Sequence, residues 1–282
     1  MNEKVKVASL SVISNTFLII IKLLVGILTG SVSIISEAIH SSMDLAAAII
    51  AFFSVKVSDT PPDKKHPYGH GKIENISGVI EAILIFIASI WIIYEAINKI
   101  QSDEKIESLG LGSLVMLVSA VVNILVSRQL YKVAKKTKSV ALEADALHLK
   151  ADVFTSLGVA LGLGLIWLTG YQILDPIVAI LVAIFILYEA YQLLKKAFSP
   201  LLDAAMDEND LKMIHDYFKI KKIKIHDLRT RKAGKYSFAE LHMVMPANKS
   251  LAEVHDVCDE VEKELEKIIS DFHLTIHPEP EG

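Results

Sequence analysis

The sequence predicts an α-helical membrane protein: six transmembrane helices followed by a small C-terminal α+β domain. Three observations carry that expectation. The chain of 282 residues is 52% hydrophobic with a mean hydropathy of +0.44, too apolar for an ordinary soluble domain. Its apolar residues gather into six runs, each near the ~20 residues a helix needs to cross the hydrocarbon core. Past residue 202 those runs stop, and short amphipathic segments take over.

The first run, 7–29, follows a short basic stretch and has no A-x-A cleavage site before Gly30, so it reads as a retained span. The others are 32–55, 76–98, 110–131, 146–168 and 173–194. "LTGS", "SDTPPDKKHPYGHGK" and "TGYQILDP" punctuate them with turn residues. Inside lipid no water satisfies open backbone groups, so each run is expected to be helical. Six spans put both termini on one side. The loop 56–72 carries Lys56, Lys64, Lys65 and Lys72; Arg128 sits in the last turn of the fourth span and Lys132, Lys135, Lys136 and Lys138 follow it, and Lys195 and Lys196 follow the sixth. Across the membrane only Lys99 and Lys105 oppose them, so the positive-inside rule places both termini in the cytoplasm.

Residues 203–282 hold 12 Lys and Arg against 17 Asp and Glu, a net of −5. "DENDLKMIHDYFK" reads as an amphipathic helix. "IKKIKIHDLRTR" and "KYSFAELHMVMP" alternate with period two and read as strands joined by a turn at "KAGK". "SLAEVHDVCDEVEKELEKII" has helical spacing with Ser250 as N-cap, and "FHLTIH" closes as a third strand. The order αββαβ predicts helices on one face of a small sheet. Domains of 1–202 and 203–282 follow. The single cysteine, Cys258, excludes an internal disulfide and reads as a small core residue. A net charge of −4 argues against nucleic acid as a partner.

Two spans carry ionisable pairs at the same spacing. His40 and Asp44 stand four apart in "SEAIHSSMDLAAAII", and His148 and Asp152 four apart in "ADALHLKADVF". On a helix each pair shares one face. Such groups are costly inside a membrane unless they pair or line a cavity. His40 sits ~12 Å into its span and Asp152 ~24 Å from the far end of its own, so the pairs reach similar depth. Two imidazoles and two carboxylates form an N2O2 set that suits tetrahedral Zn²⁺ and could hold Fe²⁺, Co²⁺ or Cd²⁺. Mg²⁺ and Ca²⁺ prefer all-oxygen sites. The ligands must lose protons to bind, so metal and H⁺ compete, and exchange of a divalent cation against H⁺ is the expected chemistry.

The His-x-x-x-Asp of spans two and five, "HPYGHGKIE", "DPIVAILVAIFILYEAY" and "HDLRTRKAG" together resemble the cation diffusion facilitators, zinc-transporter-type divalent metal/proton antiporters. The resemblance runs nearly the full length. It implies a homodimer in a lipid membrane, here the prokaryotic inner membrane, with a ferredoxin-like, metallochaperone-like cytoplasmic domain and alternating access. His40, Asp44, His148 and Asp152 are then the transport site, with Mn²⁺ also open as cargo. Asp63, His66 and His70 in the loop after span two match a cytoplasmic-end metal site, against the alternative of a solvated polar loop. In the soluble domain, strand parity turns His226, His242, His273 and His277 away from the apolar face. Alignment with the family's metal positions selects His226, His242, His255 and His277, with Glu279 where the family often has aspartate. Flanking by Pro278 and Pro280 bears on whether Glu279 can bridge. Lys72 and Asp203 match an interlocking salt bridge; a snorkelling lysine and a helix-start aspartate are the other reading.

Two other classes of function compete. An intramembrane metal-dependent hydrolase needs an open metal position and a general base, and the chain has no H-E-x-x-H. A membrane-anchored metal sensor leaves the intramembrane ligands without a purpose.

Overall fold

A computed structural model describes residues 2–29, 32–101, 111–171 and 173–281. Six long helices come first: α1 (Glu3–Thr29), α2 (Val32–Ser58), α3 (Lys72–Gln101), α4 (Leu111–Thr137), α5 (Val140–Thr169) and α6 (Leu174–Phe198). A short 3-10 turn, Ser199–Leu202, leads to α7 (Glu208–Lys221), β1 (Ile225–Ala233), β2 (Tyr236–Met245), α8 (Leu251–Ile268) and β3 (Phe272–Pro280). The inter-span loop at 102–110, with Lys105, lies outside the described residues, as do Gly30, Ser31 and Gln172 of the two short turns.

The helices are longer than the apolar runs because polar turns extend them past the bilayer. At 27 residues, α1 is ~40 Å long at 1.5 Å per residue, against a core of ~30 Å. Among the described residues five helices, α1, α2, α3, α4 and α6, are long and apolar enough to cross a membrane. The sixth, α5, is as long, but its first half carries Glu143, Asp145, Lys150 and Asp152. Exposed Phe17, Leu24, Ile87, Trp91 and Phe185 give the bundle an apolar exterior, of the kind that lipid or a partner copy covers.

Packing follows sequence neighbours and one long crossover: α1 lies on α2, α4 on α5 and α3 on α6. Two cores result. One gathers Ala8, Val55, Val126, Leu130, Leu142 and Leu149 from α1, α2, α4 and α5. The other gathers Ala82, Ile85, Ala144, Ala151, Ile186 and Ala190 from α3, α5 and α6. Helix α5 therefore belongs to both.

In the soluble domain β2 is the central strand, antiparallel to β1 and parallel to β3. The parallel pair needs a crossover, and α8 supplies it. Ser250 caps α8 through a capping box with Glu253. Ile214 and Phe218 of α7, Leu241 and Met243 of β2, and Cys258, Val261 and Leu265 of α8 form the core on one sheet face. The expected αββαβ order holds, with one boundary moved. Residues 220–224, expected to open β1, instead end α7 and turn. Basic Lys219 and Lys221 suit the negative end of that helix, and Lys222 closes it at φ +58°.

The β1–β2 turn docks on the start of α3. Gly234 N–H donates to Asn75 Oδ1 at 3.1 Å, and Asn75 Nδ2 donates to the Ala197 carbonyl of α6 at 3.3 Å. Lys235 Nζ lies 3.5 Å from Asp59 Oδ1 at the end of α2. The chains meet backbone to backbone: a Cβ added to Gly71 would stand 2.2 Å from the Ala233 carbonyl oxygen.

Candidate metal centre

Helices α2 and α5 bring Asp44, His148 and Asp152 together. Each offers one ligand atom, and the three atoms lie within 4.8 Å of one another. Asp44 Oδ1 is 3.1 Å from His148 Nε2. The repeated i, i+4 spacing does the aiming: α2 and α5 pack side by side, and each turns one face to the other. Asp44 is buried, with 7% of its surface exposed. His40 lies on α2 one turn before Asp44; its side chain is outside the described ones. Three of the four expected ligands are thus placed at one point inside the bundle.

Sequence reading missed two buried carboxylates beside this point. Glu81 of α3 and Asp145 of α5 are fully enclosed. Ser77 Oγ donates to Glu81 Oε1 at 3.1 Å, and Ser11 Oγ donates to Asp145 Oδ1 at 3.1 Å. Glu81 Oε2, Asp145 Oδ2 and His148 Nδ1 are buried with no hydrogen-bond partner among the described residues. The signals were there: Glu81 interrupts the apolar run "GVIEAILIF", and Asp145 precedes His148 by one turn. The end of the bundle nearer the soluble domain holds a second missed network. Lys4 Nζ lies 2.8 Å from both Asp59 Oδ1 and Glu74 Oε1, and Ser58 and Ser139 both donate to Glu74.

In the loop between α2 and α3, Asp63 stands 3.3 Å from His66 Nδ1 and 3.5 Å from His70 Nε2. The two rings are 4.5 Å apart between centroids. Asp63 Oδ1 also accepts the backbone N–H groups of Lys65 and His66 at 2.7 and 2.6 Å. The His66 N–H is the main reason its carboxyl is held below the ordinary range. A local turn thus brings the three expected residues into one group, Asp63 and His66 exposed and His70 half-buried.

Lys72 and Asp203 form the expected ion pair, Nζ to Oδ1 2.8 Å, and Arg231 Nη1 approaches the same oxygen at 3.6 Å. The hydrogen bond from Lys72, aided by the charges of Lys72 and Arg231, holds the Asp203 carboxyl below its usual range. A depressed folded pKa stabilises above the unfolded value of about 3.9 and is lost only as pH falls through the lowered one. The joint between α3 and the soluble domain should therefore keep one geometry from pH 8 to about pH 5 and loosen below about pH 4. Spin labels on β1 and on the α2–α3 loop would report it. A distance change already complete at pH 6 would transfer the control to histidines.

Across the sheet a row of histidines runs through all three strands. His226 pairs with His242 in the β1–β2 register, and His242 with His277 in the β2–β3 register. Ring centroids are 5.0 Å apart for the first pair and 4.7 Å for the second, the spacing of neighbouring strands. Glu279 bridges them despite its flanking prolines. Its Oε2 is 3.0 Å from His226 Nε2, and its Oε1 is 2.8 Å from His242 Nδ1 and 3.7 Å from His277 Nε2. Partial burial raises the Glu279 carboxyl, but the hydrogen bonds with His242 and His226 outweigh it and leave it below the ordinary range. His226, His242 and Glu279 alone bring ligand atoms within 4.8 Å. His255 needs correction as a member of this set within one chain. It sits on α8, which covers the opposite, apolar face of the sheet, and its exposed Nε2 lies 3.8 Å from Asp259. His273 leaves the row as well, stacking on Phe238 at 5.2 Å.

Residues 8–202 match the family described as the cation efflux transmembrane domain, and residues 207–281 the cation efflux protein cytoplasmic domain. The chain is 34% identical over 256 residues to an uncharacterised transporter of Synechocystis sp., covering 90% of this chain and 83% of the relative. It is 33% identical over 282 residues to the cation-efflux pump FieF of Yersinia pestis, covering 98% and 93%. A solved structure titled "Mode of Action of a Putative Zinc Transporter CzrB" aligns with 27% of this chain and 99% of its own, at 33% identity and a TM-score of 0.26. With both family domains matched in order over nearly the whole length, the chain belongs to the cation efflux, or cation diffusion facilitator, family of zinc-transporter type: integral membrane transporters of divalent cations, and not enzymes.

Proposed function

We propose that this chain exports a divalent transition-metal cation, with Zn²⁺ the best fit, from the cytoplasm in exchange for H⁺ by alternating access. The observation that carries it is the buried convergence of Asp44, His148 and Asp152 from α2 and α5. Mixed imidazole and carboxylate donors suit Zn²⁺ and admit Fe²⁺, Co²⁺, Cd²⁺ and Mn²⁺, while the imidazole disfavours Mg²⁺ and Ca²⁺. His40, one turn from Asp44, is the fourth ligand in this reading. A cation entering the site meets ligands that must be deprotonated to hold it, and reprotonation from the far side helps release it. That competition is the physical basis of antiport.

Residues 1–202 act as the transport domain and residues 203–282 as a cytoplasmic domain, in a homodimer of the prokaryotic inner membrane with both termini in the cytoplasm. The lysines of the α2–α3 loop and of the ends of α4 and α6 support that orientation. The loop group Asp63, His66 and His70 and the sheet group His226, His242, His277 and Glu279 are secondary metal positions on the cytoplasmic side. His255 on α8 lies apart from them.

Full-length protein in proteoliposomes loaded with a Zn²⁺-sensitive dye tests the reading. Zn²⁺ flux should rise severalfold when protons are supplied from the side that receives the metal, and Mg²⁺ should not move. Flux indifferent to the proton gradient would remove antiport from the proposal, and no Zn²⁺ flux at all would remove the cargo.

A further inference from the structure

Helices α4, α5 and α6 leave a crevice of about 480 Å³ between them, lined by none of Asp44, His148 and Asp152, in the half of the bundle nearer the soluble domain. Its apolar wall includes Leu147, Val153 and Phe154, and its polar wall carries three cations, Arg128, Lys150 and Lys196, against Glu143 and Glu189. Lys196 Nζ is 2.6 Å from Glu143 Oε2, so those two cancel. Neither Arg128 nor Lys150 has a carboxylate within ion-pair distance among the described residues. The Lys150 ammonium stands 5.2 Å over the Phe154 ring instead.

Depth makes this arrangement informative. Arg128 lies nine residues before the end of α4, and Lys150 ten after the start of α5, which puts both ~14–15 Å from those ends at 1.5 Å per residue. Lys196 is two residues from the end of α6. A ladder of cations thus descends from the helix ends into a cleft with an apolar wall. The Arg128 and Lys150 side chains are exposed along the crevice, where, with Lys196 and Glu143 paired, they outnumber Glu189 two to one; they repel a divalent metal, so the cleft is a poor route for the cargo. An anionic phosphate ester carrying an acyl chain answers both walls at once.

We propose that this crevice is a binding site for an anionic phospholipid of the leaflet on the soluble-domain side. Its phosphate lies between Arg128 and Lys150, and one acyl chain lies along Leu147, Val153 and Phe154. The proposal rests on the family's membrane location and is independent of the ion transported.

Native mass spectrometry of the full-length protein, with no metal added, tests it with phosphatidylglycerol and phosphatidylcholine of identical chains. The unaltered protein should retain phosphatidylglycerol preferentially. Arg128→Gln combined with Lys150→Gln should weaken that retention roughly 30-fold, from ~1 kcal/mol per cation converted at 1.4 kcal/mol per tenfold. Lys64→Gln with Lys65→Gln, in the α2–α3 loop, should leave it unchanged. Excess inorganic phosphate should not displace the lipid; displacement would mark the site as one for a soluble anion and overturn the proposal. Equal retention of the two lipids by the unaltered protein would also overturn it, leaving Arg128 and Lys150 as snorkelling side chains. That comparison needs no variant, so a double variant that fails to fold does not rescue the idea.

Discussion

Replacing Asp44 or Asp152 by alanine is expected to lower metal flux by more than about a hundredfold, since even a partner outside the ligand shell is worth 10–100-fold. Each aspartate supplies one of only three described ligand atoms that converge within 4.8 Å. Asp44→Ala also strips His148 Nε2 of its neighbour at 3.1 Å. Asp44→Asn and Asp152→Asn separate ligation from packing, because they keep volume and some hydrogen bonding while removing the anionic oxygen. All four variants should elute as folded protein and fail in the same Zn²⁺ flux assay. Near-normal flux in an Asn variant with proven folding would sink the assignment of the site.

Gly71→Ala is expected to undock the β1–β2 turn from α3. The new Cβ would press to 2.2 Å on the Ala233 carbonyl oxygen and 2.9 Å on its carbon. Both are backbone atoms that cannot rotate away as a side chain would. Overpacking of this kind costs about 1–3 kcal/mol, enough to release the hydrogen bond from Gly234 N–H to Asn75 and the Lys235 contact with Asp59. Gly234→Ala meets the same obstacle from the other side, at 2.5 Å from the Gly71 carbonyl oxygen and with φ at +61°. Hydrogen exchange at the Gly234 amide should accelerate about 5- to 150-fold, the same free energy read as protection. Unchanged protection would mean that the turn never depended on this approach.

The sequence made some of this legible for physical reasons. Apolar runs and punctuation located all six long helices, because lipid permits nothing else over such lengths. Their ends lay several residues beyond the runs, since α5 opens at Val140 with Glu143 and Asp145 already helical, and hydropathy counts such residues as loop. Asp44, His148 and Asp152 were readable because a helix converts spacing four into one face. Glu81 was not read, because a single carboxylate in an apolar run gives no spacing to exploit. Period-two parity placed His226, His242 and His277 on one sheet face but carried no information on register, which the paired strands set. His255 came from the family resemblance and not from parity, and within one chain α8 sets it apart from the sheet row.

A helix that belongs to two cores cannot slide past both. The contact of α5 with α3 and α6 sets Ala82, Ala144, Ala151 and Ala190 beside Ile85, Ile186 and Leu193, whereas its contact with α1, α2 and α4 interlocks Val55, Val126, Leu130, Val133, Leu142 and Leu149 beside Ala8, Ala134, Ala141 and Ala146. Shear across short side chains unlocks few rotamers; shear across interdigitated leucines unlocks many. The easier slip plane of the bundle is therefore expected on the α3–α6 side, where the large buried side chains are fewer. Asp44 on α2 and His148 and Asp152 on α5 all lie on the same bank of it, so α3 and α6 can travel as a pair while the distances among these ligands stay fixed.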